Sequence, residues 1–305
     1  MRKKLRSVSC FIIALNLLWC CSMGWAAERL QVVTSVYPLE EFANAVGGER
    51  IAVKLLLPPG SEPHTWEPRP SDILSLKKAH IFIYIGAGME PWIKDLLEAT
   101  RKESLVVMEA SDGLDLIHKN GNGDHHDLIG MDPHIWLDFR NDEKIIDRMV
   151  KIFSKMDPKG RLFYEYNGEG YKKKLIALDR HYAENLRNCK RSQILLGGHS
   201  AFSYMARRYD LEQIPLYGIS PDAEPKPKEM ADMIDFAKSH DVKAVYFERL
   251  INDRLAKVIA EEIGAITLAL NPGVNLTREE RERSLSFISI MEENLSNLMK
   301  GLACE

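Results

Sequence analysis

The stretch QVVTSVYPLEEFANAVGGERIAVKLLL, residues 31–57, places a helix-forming segment between two apolar segments. Gln31–Val36 and Ile51–Leu57 are short runs of apolar and β-branched residues, which is typical of strands, and Pro38–Val46 fits a helix between them. A strand, a helix and a strand in this order predict two parallel strands joined by a crossover helix.

The same alternation continues along the chain and predicts an α/β fold with two lobes, each a sandwich of helices on a parallel sheet. Further helices are predicted at Ser71–Lys78, Lys228–Ser239 and Asp253–Ile263. Further strands are predicted at Ile81–Ile85, Leu105–Met108, Ser192–Leu196, Ile214–Tyr217, Lys243–Phe247 and Ile266–Leu270.

The middle of the chain lacks a strand signal. After the helix-starting pair Asp157-Pro158, apolar residues recur at helical offsets, and they are Leu162, Tyr166, Leu175, Leu178 and Leu186. We predict one long helix that joins the lobes; the alternative is two shorter helices with a turn at Gly168. The predicted organisation is therefore a leader over residues 1–26, an N-terminal lobe over 27–156, the linking helix over 157–188 and a C-terminal lobe over 189–305.

The first residues have the pattern of a signal peptide. Four basic residues precede an apolar run from about Val8 to Trp19, and small residues follow, with cleavage expected near Ala26. The run is short for a membrane span, which takes roughly 20 residues. We expect an exported, periplasmic protein; a lipid anchor on Cys20 or Cys21 is the alternative, although the residues before them are not small.

Charge and cysteine content narrow the class of protein further. The leader holds four of the 41 basic residues and none of the 44 acidic ones, so the remaining chain has 37 and 44, a formal net charge of −7. This balance disfavours nucleic acid as a partner. Outside the leader only Cys189 and Cys304 remain, and in an oxidising compartment we expect them to form a disulfide.

Three of the nine histidines have similar settings in the sequence. His64 follows a predicted strand in a proline-stiffened loop, His134 lies in an Asp-Pro-His turn, and His199 follows a predicted strand and two glycines. In open α/β sheets, ligands bind beyond the carboxyl ends of the strands, so all three imidazoles can reach one cleft. Neutral imidazoles held by rigid loops are suited to Zn²⁺.

Four segments together resemble the solute-binding proteins of ABC-type zinc and manganese importers. The resemblance covers nearly all of the chain after the leader, and the segments are LLPPGSEPHTWEPRPSDILSLKKAHIFIYIGAGMEPWI, MDPHIWLD, GGHSAFSYMARRYDLEQIPLYGISPDAEPKPKEM and VYFERLINDRLAKVIAEEIG. The resemblance implies two lobes bridged by a long helix, with the metal bound between them. It also implies a membrane permease and an ATPase as partners; we expect the chain to be a monomer.

The resemblance further implies that His64, His134 and His199 are metal ligands. Family members often supply an aspartate as fourth ligand, and Asn271 stands at that place in this chain. Asn271 is therefore a candidate ligand with a neutral oxygen, and the alternatives are that it is a turn residue before a proline, or that water is the fourth ligand. Glu248 is a second candidate, more in keeping with a hydrogen-bond acceptor that orients a histidine.

An imidazole-rich site favours Zn²⁺ over Mn²⁺, which prefers hard oxygen ligands. The sequence thus predicts an extracytoplasmic zinc-binding subunit, with a manganese- or iron-delivering member of the same family as the alternative. The segment HKNGNGDHHD, His118–Asp127, could capture zinc or be a solvated loop without a specific role.

Two other classes of function share some of these features. Three histidines and a water also describe a zinc hydrolase, but that activity needs a general base and a substrate pocket, and no HExxH motif is present. We therefore expect no enzymatic activity. A surface adhesin without a role in transport is the second of these classes; such a protein would carry a lipid anchor, and zinc uptake by the cell would not depend on the protein.

Overall fold

A computed structural model describes residues 29–119, 130–216, 226–250 and 253–304. The predicted leader, residues 1–26, and residues 120–127 of the histidine-containing segment lie outside the described residues. In the described ranges no helix combines the length and the apolar character that a membrane crossing needs.

Ten strands in the described residues form two four-stranded parallel sheets and one short hairpin. The sheet orders are β2-β1-β3-β4 and β10-β9-β7-β8, and β5 pairs antiparallel with β6. This confirms the predicted α/β fold with two parallel sheets. The strands are β1 Leu30–Thr34, β2 Ile51–Leu55, β3 Ile81–Tyr84, β4 Val106–Glu109, β5 His118–Lys119, β6 Gly130–Met131, β7 Gln193–Leu196, β8 Glu212–Pro215, β9 Ala244–Phe247 and β10 Ile266–Ala269.

Helices connect the strands and cover both faces of the sheets. They are α1 Tyr37–Gly47, α2 Pro70–Lys78, α3 Ile93–Thr100, α4 Phe139–Met156, α5 Arg161–Leu186, α6 Ser203–Tyr209, α7 Pro227–Ser239, α8 Arg254–Ile263, α9 Arg278–Glu282 and α10 Phe287–Leu302.

All eight predicted strands are present. The largest difference in position concerns β8, which begins at Glu212, two residues before the predicted start. β8 is an edge strand, and its first residues are polar and partly or fully exposed, so hydrophobicity alone does not detect them. The β5–β6 hairpin was not predicted, because strands of two residues have no detectable period.

The linking helix is one continuous helix, as predicted, rather than two with a turn at Gly168. It spans Arg161–Leu186, and residues 158–160 form a short 3-10 turn before it. A Cβ on Gly168 would lie 2.6 Å from Cγ2 of Val150, so this glycine allows α4 and α5 to pack closely instead of ending the helix. Leu162 and Tyr166, although at helical offsets, are about 80 % exposed, and Tyr164 and Tyr171 face the core instead.

The main apolar core is shared by the two halves of the chain. It contains residues from β1 and α1 as well as from β7, β9 and α10, with α4 and α5 between them, and each sheet buries a smaller cluster on its other face. Cys189, just beyond α5, forms a disulfide with Cys304, as predicted, and so ties two points separated by 115 residues. A shared core and a continuous helix favour a fixed relation between the two halves.

Candidate metal centre

The three histidines predicted to bind metal lie in three loops that meet between the two sheets. His64 lies in the loop of residues 56–69 between β2 and α2, His134 follows β6, and His199 follows β7. His134 and His199 are buried, and His64 is partly exposed. The hairpin β5–β6, which the sequence analysis did not predict, is the element that returns the chain to the cleft before His134.

The geometry of the three rings fits a single metal ion. Their centroids are 5.2–5.7 Å apart, and one ring nitrogen of each histidine lies within 4.8 Å of the others. The Nε2 atoms of His134 and His199 are 3.3 Å apart. Zinc binds imidazole nitrogen at about 2.0–2.1 Å with tetrahedral angles, which places two nitrogen ligands about 3.3–3.4 Å from each other.

Glu248 lies at the Nδ1 side of the His199 ring, opposite the Nε2 atom that faces His134. Its Oε1 is 2.6 Å from Nδ1 of His199 and also accepts the backbone N–H of His199 at 3.3 Å, and both side chains are buried. An Nδ1–H that donates to this carboxylate leaves Nε2 as the atom with the lone pair. Glu248 thus orients His199, and its Oε1 is bound to the histidine on the side away from the other two rings.

The two glycines before His199 make this contact possible. A Cβ on Gly198 would lie 2.7 Å from Oε1 of Glu248, and a Cβ on Gly197 would lie 2.4 Å from Cβ of Ala256 in α8. Both distances are too short for a side chain. The Gly-Gly-His sequence therefore lets β7 approach Glu248 and α8 closely enough for the histidine to face the cleft.

His134 has an equivalent partner two residues before it. Oδ1 of Asp132, which is fully buried, is 2.8 Å from Nδ1 of His134 and accepts the backbone N–H of His134 at 3.0 Å. Asp132 was not among the residues predicted from the sequence to act at the site. The sequence could have indicated this contact, because a carboxylate two residues before a histidine can bond to the backbone and to the ring of that histidine.

His64 differs from the other two histidines. Burial, helped by the neighbouring rings of His134 and His199 and opposed by Asp132, lowers the pKa of His64 from 6.5 to about 3. The ring is therefore neutral at pH 7. Its Nε2 is shielded from solvent and has no hydrogen-bond partner among the described residues. A buried polar atom without a partner is unfavourable, and a bound cation would satisfy its lone pair.

Asn271 lines the same cleft and has a clear structural role there. Its Oδ1 accepts the N–H of Gly273 at 2.8 Å, which stabilises the turn after β10. The side chain of Asn294 in α10 bonds to both the N–H and the carbonyl of Asn271, at 2.8 and 2.7 Å. Asn271 is therefore a turn residue, one of the roles predicted for it, and its side-chain carbonyl oxygen has a second lone pair for a further partner.

The space enclosed by these residues is small. It measures about 10 Å³ and is lined by all three histidines together with Glu248 and Asn271. This is close to the volume that one water molecule needs. A space of this size is suited to a single small ion.

Comparison with known proteins links this geometry to a family. Residues 32–301 match the family model described as ZnuA, zinc-uptake complex component A, periplasmic. The high-affinity zinc uptake system protein ZnuA of Bacillus subtilis is 35 % identical over 284 residues, which cover 90 % of this chain and 88 % of that protein.

Two further comparisons concern proteins of Streptococcus pneumoniae. The zinc-binding lipoprotein AdcA is 33 % identical, and the match covers 97 % of this chain but only 60 % of AdcA. The crystal structure of the Zn(II)-bound ZnuA-like domain of AdcA superposes with a TM-score of 0.77 at 32 % identity, covering 90 % of this chain and 99 % of the domain. The likeness thus extends over both lobes.

Proposed function

This chain belongs to the ZnuA family of zinc-uptake components, and from that premise we propose that it captures Zn²⁺ outside the cytoplasm and delivers it to the permease and ATPase of an ABC importer. The observation that carries this function is the convergence of three imidazoles on a space of about 10 Å³, two of them with Nε2 atoms 3.3 Å apart. Zinc in this site is cargo rather than a resident cofactor.

His64, His134 and His199 are the proposed ligands. The fourth position falls to a water molecule or to Oδ1 of Asn271, whose bond to Gly273 leaves one lone pair. In addition, the carboxylates of Asp132 and Glu248, which touch two of the rings, carry negative charge that offsets the charge of the cation. An isolated buried divalent cation would otherwise be costly, so this arrangement supports tight binding.

The ligand set supports zinc rather than manganese as the cargo. Three imidazole nitrogens suit Zn²⁺, whereas Mn²⁺ prefers carboxylate and water oxygens. The carboxylates of Asp132 and Glu248 already bond to histidine Nδ1 atoms. The small space among the three histidines supports a carrier, which needs room only for the ion itself.

We propose that the protein is exported through the leader of residues 1–26. The Cys189–Cys304 disulfide supports an oxidising compartment. Because AdcA is named a lipoprotein, anchoring through Cys20 or Cys21 is the alternative, and mass spectrometry of the protein from membranes distinguishes the two. The domain boundaries at residues 156 and 188 and the monomeric state stay predictions.

A metal-competition titration tests the function. Purified protein lacking the leader is titrated with Zn²⁺ and Mn²⁺ against a chromophoric chelator, alongside His199→Ala. The matched control is His181→Ala, which removes an exposed histidine of α5. We expect a strong preference for Zn²⁺, loss of tight binding in His199→Ala and no change in the control. A preference for Mn²⁺ would contradict the assignment.

A further inference from the structure

One segment of the C-terminal half reaches across the cleft to the loop that carries His64. The side chain of Asn275, between β10 and α9, is fully buried. Its Nδ2 donates to the carbonyl of Pro58 at 2.7 Å and to the carbonyl of Ser61 at 2.9 Å, while its Oδ1 accepts the N–H of Leu276 at 2.9 Å. The amide thus uses both of its N–H groups and its oxygen.

Backbone hydrogen bonds reinforce this connection. The N–H of Gly60 donates to the carbonyl of Leu276 at 2.9 Å, in the same loop that receives Asn275. The N–H of Tyr37 donates to the carbonyl of Val274 at 3.1 Å, and Nε1 of Trp136 donates to the carbonyl of Pro272 at 2.7 Å. The segment of residues 272–276 therefore binds three separate elements of the N-terminal half.

The contacts at residues 58–61 lie immediately before His64. His134 and His199 are oriented by carboxylates at their Nδ1 atoms. In contrast, no carboxylate among the described residues bonds to the ring of His64, which contacts Glu62 through its backbone N–H. The direction of its ring therefore depends on the position of its loop. Two hydrogen bonds donated by Asn275 and one accepted by the carbonyl of Leu276 hold that loop from the opposite half of the molecule.

We propose that Asn275 is a positioning residue for zinc: its side-chain amide holds the His64 loop in place, so that His64 meets the ion already held by the other two histidines. This inference rests on the proposed function of the site. An amide suits the role because two carbonyl oxygens need two donors, and the following N–H needs an acceptor. Holding the loop in advance spares the ordering cost of binding and raises affinity.

Asn275→Asp is the decisive variant. The aspartate has the same shape and keeps an acceptor for Leu276, but it places an oxygen opposite the carbonyls of Pro58 and Ser61. Asn275→Ala removes donors and acceptor together. The matched control is Asn297→Asp in α10, where the side chain donates to the carbonyl of Ala269 within the C-terminal half.

Two measurements are made on each protein. The first is the rate of zinc release into excess chelator by stopped flow. The second is hydrogen exchange of the metal-free protein, followed in peptides spanning residues 57–66, where the Gly60 amide reports the contact directly. We expect Asn275→Asp to release zinc about tenfold faster or more, which corresponds to the net loss of about one buried hydrogen bond. We also expect faster exchange in residues 57–66.

The outcomes separate the possible roles. If Asn275→Asp behaves like the wild type while Asn275→Ala does not, the amide only stabilises its own turn and the proposal is wrong. Equal acceleration in Asn297→Asp would also overturn it, because the effect would then be general destabilisation. If Asn275→Asp does not fold, two other results test the proposal. Faster zinc release by Asn275→Ala together with a protected Gly60 amide in the wild type supports it, and wild-type release by Asn275→Ala or an unprotected Gly60 amide refutes it. A wild type that binds no zinc refutes the proposed function, while the exchange data still decide whether Asn275 holds the loop.

Discussion

The Nε2 atoms of His134 and His199 lie 3.3 Å apart although 65 residues separate them in the chain. On the opposite side of each ring a buried carboxylate, Asp132 or Glu248, bonds to Nδ1. The carboxylate at Nδ1 therefore fixes the orientation of each ring, and the Nε2 atoms of the two rings face each other. We expect zinc affinity to depend on this orientation being present before the ion arrives.

Replacing the partner of His199 tests this orientation. Glu248→Gln keeps the size of the side chain but removes the charge, so we expect zinc affinity to fall by about 10- to 100-fold. Chelator competition measures the change. Glu293→Gln, an exposed carboxylate of α10, serves as the control and should bind zinc normally. Unchanged affinity in Glu248→Gln would show that the histidine is oriented by packing alone.

The glycine before His199 provides a second test. Gly198→Ala places a methyl group 2.7 Å from Oε1 of Glu248, so the carboxylate must move and we expect zinc affinity to fall about tenfold or more. Gly170→Ala in α5 is the control, because a Cβ there meets nothing within 4 Å. That control should raise stability by about 0.5–1 kcal/mol through helix propensity and leave zinc affinity unchanged. Urea unfolding and chelator competition measure the two effects, and normal zinc binding by Gly198→Ala would refute the close contact.

The metal-free protein should lose stability in acid partly through His64. The folded-state pKa of about 3 lies below the ordinary value of 6.5, so between these values the unfolded chain binds a proton that the folded chain does not. The contribution of His64 is present above pH 6.5 and is lost as the pH falls towards 3, by at most about 1.4 kcal/mol per pH unit. Urea unfolding between pH 7.5 and 4.5 measures the slope.

The comparison with His64→Asn isolates this contribution. Burial raises the pKa of Glu90 to about 7, which acts in the opposite direction, since the folded protein then binds the extra proton. The difference between wild type and variant removes that background. We expect the variant to lose less stability in acid, and parallel slopes would rule out a titrating His64.

The disulfide should matter for stability rather than for the metal. Cys189 and Cys304 enclose a long segment, and removal of such a bond typically costs about 2–5 kcal/mol. We expect the double variant Cys189→Ser, Cys304→Ser to unfold at lower urea concentration while its zinc affinity at 25 °C stays within about twofold, because neither cysteine lines the histidine cleft. A large loss of affinity in the folded variant would link the disulfide to the site.

Several features could be predicted from local sequence because they depend on local chemistry. The eight strands of the two sheets follow from short apolar runs, and the long helix follows from apolar residues at helical offsets. The buried face of the long helix was harder to predict. Leu162 and Tyr166 fit the helical pattern yet are exposed, because a pattern of apolar residues does not specify which face of the helix packs against a neighbour. The β5–β6 hairpin was too short to detect.

By itself the sequence determined the α/β class and, through the types of residue in three stiff loops, the candidate histidines and the preference for zinc. The sequence also offered Glu248 as an acceptor that orients a histidine. The tertiary structure alone decided that this histidine is His199 and that Asn275 bonds to the loop before His64, across separations of 49 and 217 residues. The physical reason is that hydrophobic periodicity reports only which residues enter a core. Partners of buried polar groups are chosen by which loops the packed sheets and helices bring together.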